Sequence, residues 1–387
     1  MKKAIIGLCV VALIAVFAGR AWYLQSQKKV KPEANNGDVI VKVGLLTHPS
    51  GVVAKMGQEI LNGALLAKEE INASDDYNGR KIEMFVGDSQ IIPKIAISEF
   101  NRLLFKDIVA AVIAGDNAVP AVAPLVKNNK IPSVVTISYN NEFLKSNDPK
   151  YMYKNFLTIE KLYYALTRRA IELFGIKKVA IYAINLPFGK EAIKGIQDGL
   201  KGTDVEITHI ELYPEDERDC KDGIAKVLAS KPEAVFVAGY GMGYPIGINR
   251  LREAGFKGKI LSSPTFKDAG FKEYVKTDEN IVFVQQFDNL NEKNSPFAIA
   301  YKKRFGEDPT DFSTFGYSSM KLMGEAIKNA KTLDKEGIHE ALDAIKKFET
   351  PFGTLTLNED GSCDLTLILA ETKGNGKYEV LEVIPEE

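Results

Sequence analysis

The sequence predicts an α/β protein made of two doubly wound parallel sheets, and three observations carry that expectation. β-rich runs alternate with runs of helical period along most of the chain, the order that βα crossovers impose. Several runs, Val109 to Ala114 among them, are continuously apolar, as strands covered by helices on both faces are. Between Ile137 and Leu162 the alternation lapses into polar residues (Tyr139 to Lys150), which suggests a boundary between two such sheets.

The elements follow in order. Val39 to Leu46 reads as a strand ending in a Pro-Ser-Gly loop. A helix follows with Ile60, Ala64, Ala67 and Ile71 on one face, because offsets of four, three and four are helical. Lys81 to Val86 is the next strand, and Pro93 opens a helix to Phe105, since proline suits a first helical turn. Val109–Ala114, a helix Ala118–Val126 and a strand Pro132–Ile137 complete the first series. The second has helices at Leu162–Phe174 and Gly189–Leu200, and strands at Val179–Ala183, Glu206–Leu212, Ala234–Ala238, Ile260–Ser262 and Ile281–Gln285. Helices at Pro296–Phe305, Phe315–Asn329 and Lys335–Lys346 come next, then strands at Gly353–Leu357, Leu365–Glu371 and Tyr378–Ile384. The last two form a hairpin about Gly374-Asn375-Gly376.

At 387 residues the chain holds two or three domains of ~150 residues. Fifty Lys+Arg balance 51 Asp+Glu, which excludes nucleic acid or an anionic membrane as a partner recruited by bulk charge. Lys2 and Lys3 precede an apolar run from Ala4 to Ala18, the pattern of a secretory signal. Residues 1–18 are thus a signal peptide, with cleavage before Gly19, or an uncleaved anchor extended through Trp22 and Tyr23. Either way the chain is exported, to the periplasm or the outer face of the cytoplasmic membrane, and residues 19–38 are a polar tether. Beyond the leader only Cys220 and Cys363 remain. Pairing stays open, and the polar loops around them favour free thiols.

The search for chemistry returns negatives. No P-loop and no Gly-x-Ser-x-Gly elbow is present. In Gly239-Tyr240-Gly241-Met242-Gly243 the glycines fall at every second residue, which suits a strand-to-helix turn lining a cleft better than a dinucleotide fingerprint. His48, His209 and His339 lack ligand spacing, so no metal and no cofactor is expected, and His48 reads as a surface-loop histidine. The acidic run Glu215 to Asp219 reads as a solvated loop before a helix N-terminus. No paired acid, base or nucleophile appears, so no catalytic residue is assigned.

Read as a block, Val41-Lys42-Val43-Gly44-Leu45-Leu46-Thr47, Pro49-Ser50-Gly51, Gly57-Gln58, Asn62-Gly63-Ala64 and Glu69-Glu70-Ile71-Asn72-Ala73 form a pattern. It resembles the opening of type I periplasmic solute-binding proteins, in the branched-chain amino acid (Leu/Ile/Val) branch of ABC importers. Asn78-Gly79-Arg80-Lys81-Ile82, Gly87-Asp88-Ser89, Val235 to Tyr240, Leu251 to Gly255 and Thr314-Phe315-Gly316-Tyr317 continue the match. The resemblance implies two doubly wound lobes joined by three crossover hinge segments, with the solute in the cleft between them. Residues 39–157 with 287–352 would form the first lobe, and 158–286 with 353–385 the second.

Carried over residue by residue, the resemblance implies a ligand set. Asp116 and Asn117 lie in the loop after the third strand, where family members offer a hydroxyl that is missing here; Asn117 is equally suited to a helix N-cap. Thr136, Ser138 and Tyr139 match the family's next motif loosely, and their hydroxyls and backbone N–H groups suit an anion. Tyr240 matches the cleft aromatic. Thr265 stands where the family places the acid that balances the solute ammonium, and Phe315, with Tyr139 and Tyr240, would supply an apolar wall. The expected function is a monomeric binder that delivers a small amino-acid-like or carboxylate solute to an ABC permease complex in the inner membrane. A membrane-tethered sensory or regulatory receptor of the same fold is the alternative.

Overall fold

The computed structural model describes residues 37–139, 142–145, 150–263, 274–286, 295–350, 353–375 and 377–385. The leader and tether up to residue 36, and Thr265, lie outside the described residues. The chain divides into two compact units. The first holds the described residues up to Ser138 with Glu142–Asn155 and Ser295–Lys346, and the second holds Tyr139, the described part of Phe156–Asn294 and the chain from Lys347 onward.

In the first unit, β1 (Val39–Thr47), β2 (Arg80–Asp88), β3 (Ala110–Ala114), β4 (Ser133–Thr136) and β5 (Met152–Lys154) form an all-parallel sheet of order β2-β1-β3-β4-β5. Strand β5, which the sequence did not suggest, follows the polar residues Tyr139 to Lys150 and pairs with β4, so the first sheet ends inside the lapse between Ile137 and Leu162. Helices α1 (Ala54–Ala73), α2 (Pro93–Leu104) and α3 (Ala118–Asn129) connect the strands, and α4 (Glu142–Lys145) is one short turn. Pro93 occupies the first turn of α2, and Ala96, Phe100 and Leu103 bury its apolar face.

The second unit is built on α5 (Ile159–Phe174), β6 (Lys178–Ile184), α6 (Pro187–Leu200), β7 (Glu206–Tyr213), α7 (Lys221–Ala229), β8 (Ala234–Ala238), α8 (Gly243–Glu253), β9 (Lys259–Ser262) and β10 (Glu279–Gln285). Thr158 starts α5 by accepting the Lys161 N–H, and Gly175 ends it in the left-handed region. Further along the chain, α9 (Pro296–Phe305), α10 (Asp311–Asn329) and α11 (Lys335–Ala344) belong to the first unit. The strands β11 (Lys347–Thr350), β12 (Gly353–Leu357), β13 (Cys363–Leu365), β14 (Leu367–Gly374) and β15 (Lys377–Ile384) belong to the second.

The main sheet of the second unit has the order β15-β14-β10-β9-β8-β6-β7, parallel in the middle, with β14 antiparallel to both neighbours β10 and β15. Two expectations change here. The run Leu365–Glu371 is not one strand: it breaks at Thr366, β13 joining β12 and β11 in a small antiparallel sheet while β14 joins the main one. The strand β11, assigned by sequence to the first lobe, hydrogen-bonds to β12 and falls in the second unit.

In the first unit, α1 and α10 pack at glycine-limited distance. A methyl on Gly63 would lie 1.8 Å from the Ser313 carbonyl oxygen, and one on Gly316 would lie 2.1 Å from that of Ile60. Ile60, Ala64, Ala67 and Ile71 are all buried, so the four-three-four spacing marks a real core face. Tyr317 in α10 donates to Glu70 in α1 at 2.6 Å. Alanine in an open helix interior gains up to ~1 kcal/mol over glycine, but overpacking costs about 1–3 kcal/mol. Gly63→Ala and Gly316→Ala should therefore each lower stability by roughly that second amount. Urea titration should show the reduced midpoint, and an increase would mean that the two helices separate freely.

Candidate functional site

Each unit carries a candidate surface at the carboxyl ends of its parallel strands, where open α/β sheets place ligands. In the first unit the ladder aligns Thr47 with Asp88 and Ala114 with Thr136. The residues that follow these ends are His48, Ser89, Gly115 and Ile137.

His48 is not a surface residue, contrary to the sequence expectation. It is 0% exposed, and neither ring nitrogen has a hydrogen-bond partner. Gly57 of α1 lies against its backbone, and a methyl on Gly115 would stand 3.4 Å from Nδ1. The two glycines thus let a helix and a loop close over the ring. Burial depresses its pKa to about 4, although the Asp88 carboxylate pulls the other way. Asp88 itself accepts hydrogen bonds from the Ser50 hydroxyl and the Gln90 N–H.

The backbone around this edge is unusual. Ile91 at φ 58° and Ile137 at φ 48° are β-branched residues in the left-handed region. Such conformations cost of order 1–3 kcal/mol and concentrate at functional sites. Thr136 is fully buried with its hydroxyl unpartnered. Ser138 donates to the Asp116 carboxylate at 3.4 Å, and the ammonium of fully buried Lys154 donates to the Ser138 carbonyl at 2.8 Å. Asn117 occupies the N-cap position of α3, but its side chain makes no capping hydrogen bond. Phe315 is buried within α10, and its carbonyl accepts the Ser319 hydroxyl.

In the second unit Tyr139 and Tyr240 are joined through the ring of Phe188, and Phe156 packs on Tyr139; the sequence singled out neither phenylalanine. Tyr139 meets Phe156 edge-to-face at 4.9 Å and Phe188 at 5.5 Å, and Phe188 meets Tyr240 at 5.6 Å. Phe188 reaches this position from the first turn of α6, just beyond the carboxyl end of β6. A lone Phe beside Pro187 carries no sequence signal; only its place after a strand could have flagged it.

The glycine cluster after β8 serves an aromatic ring. A methyl on Gly239 would lie 2.0 Å from the Tyr213 hydroxyl oxygen, and one on Gly243 would lie 2.7 Å from the Tyr213 ring. The Tyr213 hydroxyl in turn donates to the Tyr240 carbonyl at 3.4 Å, which ties the turn to β7. In the acidic loop, Glu217 accepts the backbone N–H groups of Arg218, Asp219 and Cys220 ahead of α7, and these hold its pKa below the ordinary carboxylate value. Cys220 ends the acidic loop and Cys363 opens β13; both are buried, and no disulfide joins them. Among the described residues no group of His, Cys, Asp and Glu could hold a metal ion. Likewise, none of their helices is long and apolar enough to cross a membrane.

The sequence model of the family described as "Periplasmic binding protein" matches residues 40–377. The Leu/Ile/Val-binding protein homolog 7 of Brucella abortus (strain 2308) is 24% identical over 332 residues, covering 79% of this chain and 81% of that protein. Among solved structures, the branched-chain amino acid transporter substrate binding protein LivJ from Streptococcus pneumoniae, in complex with isoleucine, superposes with a TM-score of 0.74. It is 23% identical, with 89% of this chain and 99% of that one covered. A solute binding protein of an ABC transporter from R. palustris, in complex with benzoate, also gives 0.74, at 18% identity with 90% and 98% covered.

His48 makes stability depend on pH. The unfolded imidazole titrates near 6.5 and the folded one near 4, so the unfolded chain binds more protons between those values. The contribution is complete above pH ~6.5 and is lost as pH falls towards 4, by roughly 3 kcal/mol. Urea midpoints measured from pH 7 to 4 should fall less steeply in His48→Gln than in the wild type. Equal slopes would mean that the ring is solvated.

Proposed function

Since this chain belongs to the periplasmic binding protein family, whose members bind solutes and are not enzymes, we propose that it is the extracytoplasmic receptor of an ABC importer. Its preferred solutes carry a carboxylate and an apolar or aromatic body, without a free ammonium. The reading includes the interlobe cleft that the family resemblance implies, hinge closure on the solute and delivery to a permease complex in the inner membrane. Export and a monomeric state are part of the same proposal.

The observation that carries it is the edge-to-face series Phe156, Tyr139, Phe188, Tyr240 in the second unit. Aromatic rings prefer such offset contacts and present both faces and edges to a further ring. Supporting it, Thr265 stands at the position the resemblance gives to the ammonium-balancing acid. Structural neighbours were solved with isoleucine and with benzoate, so the fold accommodates both solute classes. Asp116 could receive an ammonium from the first unit, which makes it the residue on which an amino-acid reading would rest.

A thermal-shift panel separates the classes, because a ligand at ~100 times its Kd adds ~2.7 kcal/mol to stability. Benzoate and 4-hydroxybenzoate should raise Tm clearly. Truncating one partner of a buried charge pair costs ~2–5 kcal/mol, so leucine should bind roughly 30- to 5,000-fold more weakly than to a relative that keeps the acid. A strong leucine shift abolished by Asp116→Ala would restore the amino-acid reading.

Tyr240→Ala should weaken benzoate binding about tenfold or more while lowering stability by only ~1 kcal/mol, the loss of one edge-to-face pair. Titration calorimetry and thermal melts on the same variant check this. Equal losses of affinity and stability would make Tyr240 a packing residue.

A further inference from the structure

The least economical side chain in the first unit is Lys154. It sits in the three-residue strand β5, is fully buried, and lies between Tyr153 and Asn155, which are buried too. Removing an ammonium from water carries a penalty that a methionine of similar volume would avoid. A strand needed only for packing has no use for the charge. What the ammonium does is specific: it donates to the Ser138 carbonyl oxygen at 2.8 Å, at the carboxyl end of the neighbouring strand β4.

That contact has a geometric consequence. A trans peptide is planar, with its C=O and N–H pointing in opposite directions. Fixing the Ser138 oxygen towards Lys154 therefore turns the Tyr139 N–H to the opposite side. The preceding residue, Ile137, is held in the left-handed region at φ 48°, a conformation that a β-branched residue leaves unless its surroundings enforce it. The buried Thr136 hydroxyl just before it is unpartnered, and so are both nitrogens of His48 beneath Gly115. This strand-end row is strained, fixed from behind by a cation, and provided with unused polar atoms.

We propose that Lys154 is a positioning residue for the solute carboxylate: its ammonium holds the β4 loop in its strained form and lends that loop positive potential. The inference deepens the carboxylate reading above and rests on it for the identity of the anion, but not for the role in holding the loop.

The test uses the full chain with Lys154→Met and Lys154→Arg. Without solute, amides of residues 137–139 should exchange roughly tenfold faster in Lys154→Met, because a hydrogen bond to a charged group has gone, and Lys154→Arg should restore most of the protection. With benzoate and its neutral isostere benzamide as probes, the wild type should favour benzoate, Lys154→Met should lose that preference by tenfold or more, and Lys154→Arg should keep it. A merely structural lysine would not move the ratio between the two probes. Unchanged exchange in Lys154→Met overturns the proposal whatever the protein binds. An intact benzoate preference in that variant overturns the electrostatic part. A wild type that ignores benzoate, together with a loosened loop in Lys154→Met, removes the carboxylate reading and supports the positioning role. If Lys154→Met does not fold, Lys154→Gln, with a neutral head group, is taken through the same two measurements.

Discussion

Parallel strand pairing is the constraint from which the rest of this structure follows. Because β1 to β4 run in one direction, their carboxyl ends fall on one edge of the sheet. Register then brings Thr47, Asp88, Ala114 and Thr136 into a row although nearly ninety positions separate the first from the last. Helices α1 and α10 lock that row by packing through Gly63 and Gly316, where no larger residue fits. A one-residue slip of any strand would turn its side chains to the other face.

The edge produced in this way is costly, and the costs share one location. Two left-handed isoleucines, an imidazole without partners, an unpaired threonine hydroxyl and a buried ammonium all lie at or just beyond the ends of β1, β2, β4 and β5. The central strand β3 is by contrast apolar and buried throughout, Val112 and Ile113 being fully buried. Strain and buried polarity persist where function compensates for them. The second unit answers with different physics: its strand ends lead into aromatic rings in edge-to-face contact, positioned by glycines that make room for Tyr213.

Much of this fold is legible in the sequence. Helical spacing found the buried face of α1, and continuous apolar runs found β3 and β8, because burial on both faces leaves a compositional trace. Short strands escaped. Met152–Lys154 lies in a polar neighbourhood and carries a lysine, so nothing in its composition distinguishes it from a loop. Thr366 interrupts an even run of β-formers, and only the pairing partners reveal that β13 and β14 belong to different sheets.

The amino-acid order alone was sufficient for the βα alternation and the family resemblance, since those depend on local pattern and motif spacing. The environment of each polar side chain was not contained in it. His48 follows a strand and precedes Pro49-Ser50-Gly51, the setting of a surface loop; it is buried because Gly57 and Gly115, neither of them its sequence neighbour, allow a helix and a loop to close over it. Lys154 gains its role from a carbonyl sixteen positions away, and Phe188 from rings on either side of it. Burial, charge balance and ring contacts are sums over neighbours in space, and the chain acquires those neighbours only when its sheets have formed.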